Sequence, residues 1–246
     1  DKGKCSGKGA PLLFERQLVP TALGEGSAGW LRDVAETPDG GMLVVGAQVK
    51  AGLGLKASAW WLSYLDAAGR LKFEPKMLLP KLNTHLHTPH VSVGAAAVRI
   101  VDGGGAVVGG TSSTQAGGLN VAVYRLDAKG SIKSSKEFGG AAGSDEVAQD
   151  MLLLDDGSVI VVGYKQQAAK MAWMAMRVSA SGQSQWQTVG TGAGMMQAHG
   201  VARLSDGKIA IAGTRRLTAS GPRRGVVVVL SPLGKQLRAS IEVGSS

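Results

Sequence analysis

Three of the chain's four histidines fall in one short segment, His85-Leu86-His87-Thr88-Pro89-His90. Imidazoles at this spacing suit zinc or copper, and the thioether of Met196, close in sequence to the fourth histidine His199, would bias such a site toward Cu(I). One reading is therefore a metal site built from His85, His87, His90 and His199. The other is a set of solvated loop histidines beside a proline turn, since no Cys, Asp or Glu lies inside the motif. Apart from zinc or copper there, no cofactor is expected.

Arg215, Arg216, Arg223 and Arg224 form a second concentration of chemistry. Planar guanidinium forks suit carboxylates and phosphates, so these arginines read as a binding patch for an acidic glycan, a phosphate or an acidic partner face. The competing reading is a solvated hairpin tip. Nucleic acid is disfavoured, because no aromatic residue stands beside the arginines to stack on bases. Carboxylates are scarce. Paired carboxylates for glycoside chemistry could still converge in space, for instance Asp33 with Asp150, which occupy equivalent places in the repeat described next, but the sequence gives no reason to expect it. With no Gly-x-Ser-x-Gly elbow and no Cys/His nucleophile pair, catalysis is not indicated.

The elements that position these residues are legible from turns. Asp-Gly followed by an apolar run and a second glycine occurs four times: Asp39 to Gly46, Asp102 to Gly109, Asp156 to Gly163 and Asp206 to Gly213, each with a separation of seven. Asp-Gly between apolar runs is a strong hairpin signal, because glycine takes positive φ without steric cost. A second turn follows each: Leu65-Asp66-Ala67-Ala68-Gly69, Leu126-Asp127-Ala128-Lys129-Gly130, Val178-Ser179-Ala180-Ser181-Gly182 and Leu230-Ser231-Pro232-Leu233-Gly234. From the Asp of the first turn to the last Gly of the second the distance is 30, 28, 26 and 28 residues, so the unit keeps its size.

Each unit reads as four antiparallel strands, A to D. The B candidates are 42–45, 106–108, 159–162 and 209–212; the C candidates are 59–65, 121–126, 171–178 and 225–230. The D strands 134–138 and 183–189 alternate and are more polar, as an outer edge should be. The Ala/Met segment 168–176 is the nearest thing to a helix, but its register in the third unit makes it a C strand, and little or no helix is expected. Trp60, Trp61, Trp173 and Trp186 fall on C or D strands and read as packing residues; Met171, Met174 and Met176 read as core filler.

Composition agrees. The 246 residues include 37 glycines and are 44% apolar, which permits a sizeable core and many tight turns. No run of 18 apolar residues exists, so no membrane span is expected. The formal charge of +9 implies attraction to anionic surfaces. Cys5, the one cysteine, excludes an internal disulfide. It reads as a free thiol or as a point of attachment to a partner or lipid. The sequence starts at Asp1 without Met or signal peptide, as expected of a processed or excised chain.

Repeats of about fifty residues with four antiparallel strands radiate as blades, and the fold class expected is an all-β propeller of four or five blades. The organisation is a disordered leader over 1–10 and one domain over 11–246, with repeats near 26–80, 91–140, 145–190 and 197–244. The segment 11–19 looks like a D strand and is a possible closing strand. Asp39 to Gly46, Trp61-Leu62-Ser63-Tyr64-Leu65-Asp66-Ala67-Ala68-Gly69 and Phe138-Gly139-Gly140 together resemble the bacterial secreted β-propeller repeats related to Kelch and WD-type propellers. That resemblance implies an exported protein, periplasmic, extracellular or on the cell surface, that binds macromolecules or glycans.

In a four-stranded meander the A–B and C–D turns share one rim and the B–C and D–A loops the other. The histidines and arginines therefore belong to the loop rim, where repeat proteins vary and bind. The expectation is a non-catalytic binding or scaffold module, not an enzyme, docking a protein subunit of a larger assembly or an anionic glycan. The alternative is a metal-binding protein or metal-dependent enzyme using His85, His87 and His90.

Overall fold

The computed structural model describes residues 28–49, 58–72, 75–78, 94–113, 118–139, 143–168, 170–191, 194–218, 220–238 and 241–243. The leader with Cys5, the segment 11–19 and the cluster His85, His87, His90 lie outside them. Among the described residues sixteen strands form four four-stranded antiparallel sheets, each in chain order. The first blade holds β1 (Ala28–Glu36), β2 (Met42–Val49), β3 (Ser58–Leu65) and β4 (Lys76–Met77). The second holds β5 (Gly94–Ile100), β6 (Ala106–Ser113), β7 (Leu119–Leu126) and β8 (Ile132–Phe138). The third holds β9 (Ser144–Leu153), β10 (Val159–Gln167), β11 (Lys170–Val178) and β12 (Ser184–Val189). The fourth holds β13 (Met195–Arg203), β14 (Ile209–Arg216), β15 (Arg224–Leu230) and β16 (Ile241–Val243). No helix occurs among the described residues, so none there is long and apolar enough to cross a membrane.

Both turn families follow one hydrogen-bonding rule each. In the A–B turns the glycine amide donates three residues back, from Gly40 to the Thr37 carbonyl, Gly157 to Leu154 and Gly207 to Leu204, each at 2.9 Å. In the C–D turns the Asp or Ser side chain accepts the amide of the residue after the glycine: Arg70 on Asp66 at 2.8 Å, Ser131 on Asp127 at 2.8 Å, Gln183 on Ser179 at 3.0 Å and Lys235 on Ser231 at 3.1 Å. That shared acceptor explains why serine replaces aspartate in two repeats.

The second repeat departs from the pattern read in the sequence. Its turn is closed by the Gly104 amide on the Val101 carbonyl, so Gly104, not Gly103, is the counterpart of Gly40. Its second glycine is accordingly Gly110 rather than Gly109. Two consecutive positive φ angles, 82° at Gly103 and 78° at Gly104, absorb the shift. The second glycine of every repeat has a steric cause: a Cβ on Gly46, Gly110, Gly163 or Gly213 would overlap the backbone carbonyl of Trp30, Gly94, Val147 or Gln197 on the neighbouring A strand.

The A strands β1, β5, β9 and β13 lie against one another in succession. Between the sheets sit three apolar clusters. Trp60, Leu62 and Tyr124 mark the junction of blades 1 and 2; Val107, Met151 and Met174 that of blades 2 and 3; Ile160, Trp173 and Ile211 that of blades 3 and 4. Trp60 is fully buried, donates Nε1–H to the Thr111 carbonyl at 2.7 Å and tilts on Tyr124 with centroids 5.2 Å apart. The packing roles read for Trp60, Trp61, Trp173, Met174 and Met176 hold, as all five are buried.

Candidate functional site

Each A strand carries a β-bulge at the same place. The extra residues are Arg32, Ala96, Gln149 and His199, which have no partner in the register with the B strand. A bulge bends the strand and re-aims the side chain that follows. The following residues are Asp33, Ala97, Asp150 and Gly200, so blades 1 and 3 place a carboxylate where blades 2 and 4 have none.

Those two carboxylates meet on one side chain that the sequence reading did not single out. Arg99 of β5 donates from Nη1 to Asp33 Oδ2 at 2.6 Å and from Nη2 to Asp150 Oδ1 at 2.9 Å. Asp33 Oδ2 also accepts the Val98 amide at 2.9 Å, and Asp150 Oδ2 the Val201 amide at 3.0 Å. Their Oδ1 atoms accept the amides of Val34 and Met151. The cluster thus links the A strands of all four blades. It is reachable, with side-chain exposures of 32% for Arg99, 28% for Asp33 and 24% for Asp150. Sequence symmetry signalled the two aspartates; the only hint of Arg99 was a cation in the otherwise apolar run Gly94–Ile100.

Three of the four arginines come together. Arg215, Arg216 and Arg223 line a cleft of about 110 Å³ with Met171 from blade 3 and with Met195, Gln197 and Thr214. Arg224 lies directly across the ladder from Arg215. His199 joins this edge, its Nε2 3.1 Å from Thr214 Oγ1. Burial pushes the His199 pKa down, and the charge of Arg223 lowers it further. Met196 does not join a ligand set: it packs in the core between blades 3 and 4. Among the described residues no group of three or more His, Cys, Asp or Glu could hold a metal ion.

The turn rim, which the repeat pattern suggested was merely regular, holds larger clefts. One of about 310 Å³ between blades 1 and 2 is lined by Pro38, Asp39, Tyr64, Lys72, Gly104 and Ala128 among others. One of about 290 Å³ between blades 3 and 4 is lined by Asp155, Asp156, Arg177, Arg203, Gly207 and Pro232 among others. Lys72 is ion-paired with Asp39, and this bond together with that from Thr37 holds the Asp39 carboxyl far below the usual carboxylate range. Burial raises the Tyr64 phenol to about 12, with a contribution from the charge of Asp127.

No family model matches the sequence, and neither does any curated protein. Solved structures do match. An α-L-arabinanase of Penicillium chrysogenum is 10% identical, with a TM-score of 0.56 over 88% of this chain and 67% of its own. An α-L-arabinofuranosidase of Fusarium graminearum is 12% identical, with a TM-score of 0.55 over 87% of this chain and 66% of its own. A puromycin hydrolase is 18% identical, with a TM-score of 0.51 over 94% of this chain and 33% of its own. The fold is an all-β propeller. That architecture is shared with the two glycan hydrolases, and this corrects the step from propeller to non-catalytic scaffold. The expectations of no enzymatic activity and of a protein subunit as partner go with it. At these identities the likeness concerns architecture, so chemistry has to be argued from the propeller's own residues.

Proposed function

We propose that this propeller is a carbohydrate-active enzyme that hydrolyses glycosidic bonds, with Asp33 and Asp150 as its carboxyl pair. The observation that carries the reading is the convergence of both carboxylates on Arg99 from A strands of two different blades. Hydrolysis of a glycoside requires one carboxyl to protonate the departing oxygen and another to attack the anomeric carbon or to activate a water. Two acceptor oxygens on one guanidinium fork lie at most about 8 Å apart, below the roughly 9.5 Å upper limit for such pairs. Arg99 offsets the repulsion between the two carboxylates and fixes their orientation through the backbone amides that each also accepts. The names of the arabinanase and the arabinofuranosidase support a glycan as the substrate and suggest arabinan-type oligosaccharides as the first to assay. A polymeric glycan is met outside the cell, which agrees with the export implied by the resemblance to secreted Asp-Gly repeats.

A second reading has its own observation: every carboxylate oxygen of the pair accepts at least one hydrogen bond, which suits a purely structural clasp between blades. The experiment is a hydrolysis assay on a panel of arabinan- and galactan-type oligosaccharides with Asp33→Asn and Asp150→Asn, folding checked by circular dichroism. The expected result is a loss of at least about a thousandfold in kcat for each folded variant. Absence of hydrolysis by the parent protein, or folded variants that keep its rate, would overturn the proposal.

A further inference from the structure

We infer that the working face of the propeller is the turn rim, where a neutral glycan chain lies from the cleft between blades 1 and 2 to the cleft between blades 3 and 4, passing over the Asp33–Arg99–Asp150 cluster. The inference deepens the hydrolase reading above and rests on it for the reaction; the binding surface stands on separate observations. The first is position. All four A strands end at the turn rim, and the cluster occupies their last residues: Asp33 and Asp150 are fourth from the end of β1 and β9, and Arg99 is second from the end of β5. Thr37, Gly103 and Leu154 line the clefts and follow four residues after Asp33, Arg99 and Asp150, about 13 Å of extended chain at roughly 3.3 Å per residue. The second is phase. At the junction of blades 1 and 2 Asp33 accepts the Val98 amide, and at that of blades 3 and 4 Asp150 accepts the Val201 amide in the equivalent way. Those are the two junctions with a turn-rim cleft, whereas Arg125 crosses the one between them. The clefts therefore flank the carboxyl pair, one on each side.

The third observation is chemistry. Each acid lining the clefts is ion-paired with a base that lines the same cleft: Asp39 with Lys72, Asp155 with Arg203 at 2.5 Å and Asp156 with Arg177 at 2.6 Å. The charges balance, so the lining selects no charged ligand. An ion-paired carboxylate still has lone pairs to accept from a hydroxyl, and hydroxyls also accept from cationic N–H donors, so such pairs suit a sugar's polar edge. Asp155 is well placed for this, with 89% of its side chain exposed. Beneath the charged edge the second cleft has an apolar floor of Leu154, Ile160, Ile209 and Pro232, and the first has Pro38, Tyr64 and Ala128, which suit the C–H face of the ring. Volumes of about 310 and 290 Å³ equal roughly ten waters at about 30 Å³ each, against roughly nine to eleven non-hydrogen atoms in a pentose or hexose residue.

The test uses arabinose and galactose oligosaccharides of two and six residues and a galacturonate hexasaccharide, with affinity to the whole chain measured by calorimetry and hydrolysis followed in parallel. Ala128 and Pro232 hold the same exposed place in the C–D turns of blades 2 and 4, so Ala128→Trp puts an indole into the first cleft and Pro232→Trp into the second. Gln167→Trp adds one at an exposed position on the loop rim. All variants are compared at matched thermal stability. The expected result is a neutral hexasaccharide that binds at least about tenfold more tightly than its disaccharide, because one chain engages both clefts. Ala128→Trp and Pro232→Trp should each abolish that gain, and Gln167→Trp should keep it. Equal affinities for the two lengths, a gain that survives the turn-rim variants, a gain lost in Gln167→Trp, or no binding at all would overturn the inference. Tighter binding of the galacturonate hexasaccharide than of either neutral one would overturn the assignment to neutral glycans. Hydrolysis without the length gain would sink this inference and leave the hydrolase reading standing; the length gain without hydrolysis would do the reverse.

Discussion

The junction between blades 2 and 3 and its two neighbours begin from the same backbone and end differently. The penultimate residues of the first three C strands are, in sequence order, Tyr64, Arg125 and Arg177. Arg125 crosses the junction and donates Nη2 to the carbonyls of Gly157 at 2.8 Å and Ser179 at 3.2 Å. Arg177 instead turns back to its own blade, to Ser158 Oγ at 3.0 Å and Asp156 Oδ2 at 2.6 Å, and a cleft of about 290 Å³ lies beside it. Tyr64 lines the cleft of about 310 Å³. A repeat therefore prescribes where an inter-blade cleft forms, while one side chain decides whether it is occupied from within.

Arg125→Ala should break this comparison most forcefully. It removes charge-assisted bonds to two carbonyls at a junction and is expected to cost about 2–3 kcal/mol, read as a lower urea midpoint at constant slope. Loss below about 0.5 kcal/mol would show that the guanidinium fills space without holding the blades. Tyr64→Arg sharpens it from the other side. Gly104 and Asp127 are the counterparts of Gly157 and Ser179, and a guanidinium reaching their carbonyls should stabilise the first junction by up to about 1 kcal/mol, measured in the same titration. A fall in stability would mean that the buried Tyr64 ring is the better occupant.

The smallest effect expected is one of pH. The Asp156 carboxyl is held below its ordinary value first by Ser158 and then by Arg177. A carboxylate whose pKa is lower in the folded than in the unfolded chain contributes stability above the unfolded value of about 3.9. That contribution disappears as pH falls through the folded value. Asp156→Asn should therefore lower stability near neutrality and remove this part of the stability lost as pH falls below about 4. Arg125 engages carbonyls only, so the junction of blades 2 and 3 should show no such dependence. Equal acid sensitivity in Arg125→Ala and its parent agrees with this; a difference refutes it.

Most of the fold was legible because turns are local. Asp-x-x-Gly and Asp-Gly carry their hydrogen bonds within five residues, so spacing alone disclosed four units and the strands between them. Reading the second unit one residue early, at Asp102 and Gly109 instead of Gly103 and Gly110, came from a run of three glycines, Gly103 to Gly105, that spacing cannot rank. The site was legible in part. Asp33 and Asp150 stood out as counterparts, and the arginines as a cluster, because each signal repeats or is contiguous. Arg99 did not, because its function depends on residues 66 and 51 positions away. The turn-rim clefts were invisible for a related reason: a cleft depends on which way one side chain leans, as the contrast of Arg125 with Arg177 shows.

The bulges of the A strands have one further bearing. Arginine, alanine, glutamine and histidine occupy the four equivalent extra positions, and none of them is matched to a residue on the B strand. Substitution there removes no backbone register pair, although His199 also bonds Thr214 of β14 through its side chain. Selection can thus edit one residue in every blade independently, leaving the architecture intact while the molecule's chemistry drifts toward a new task.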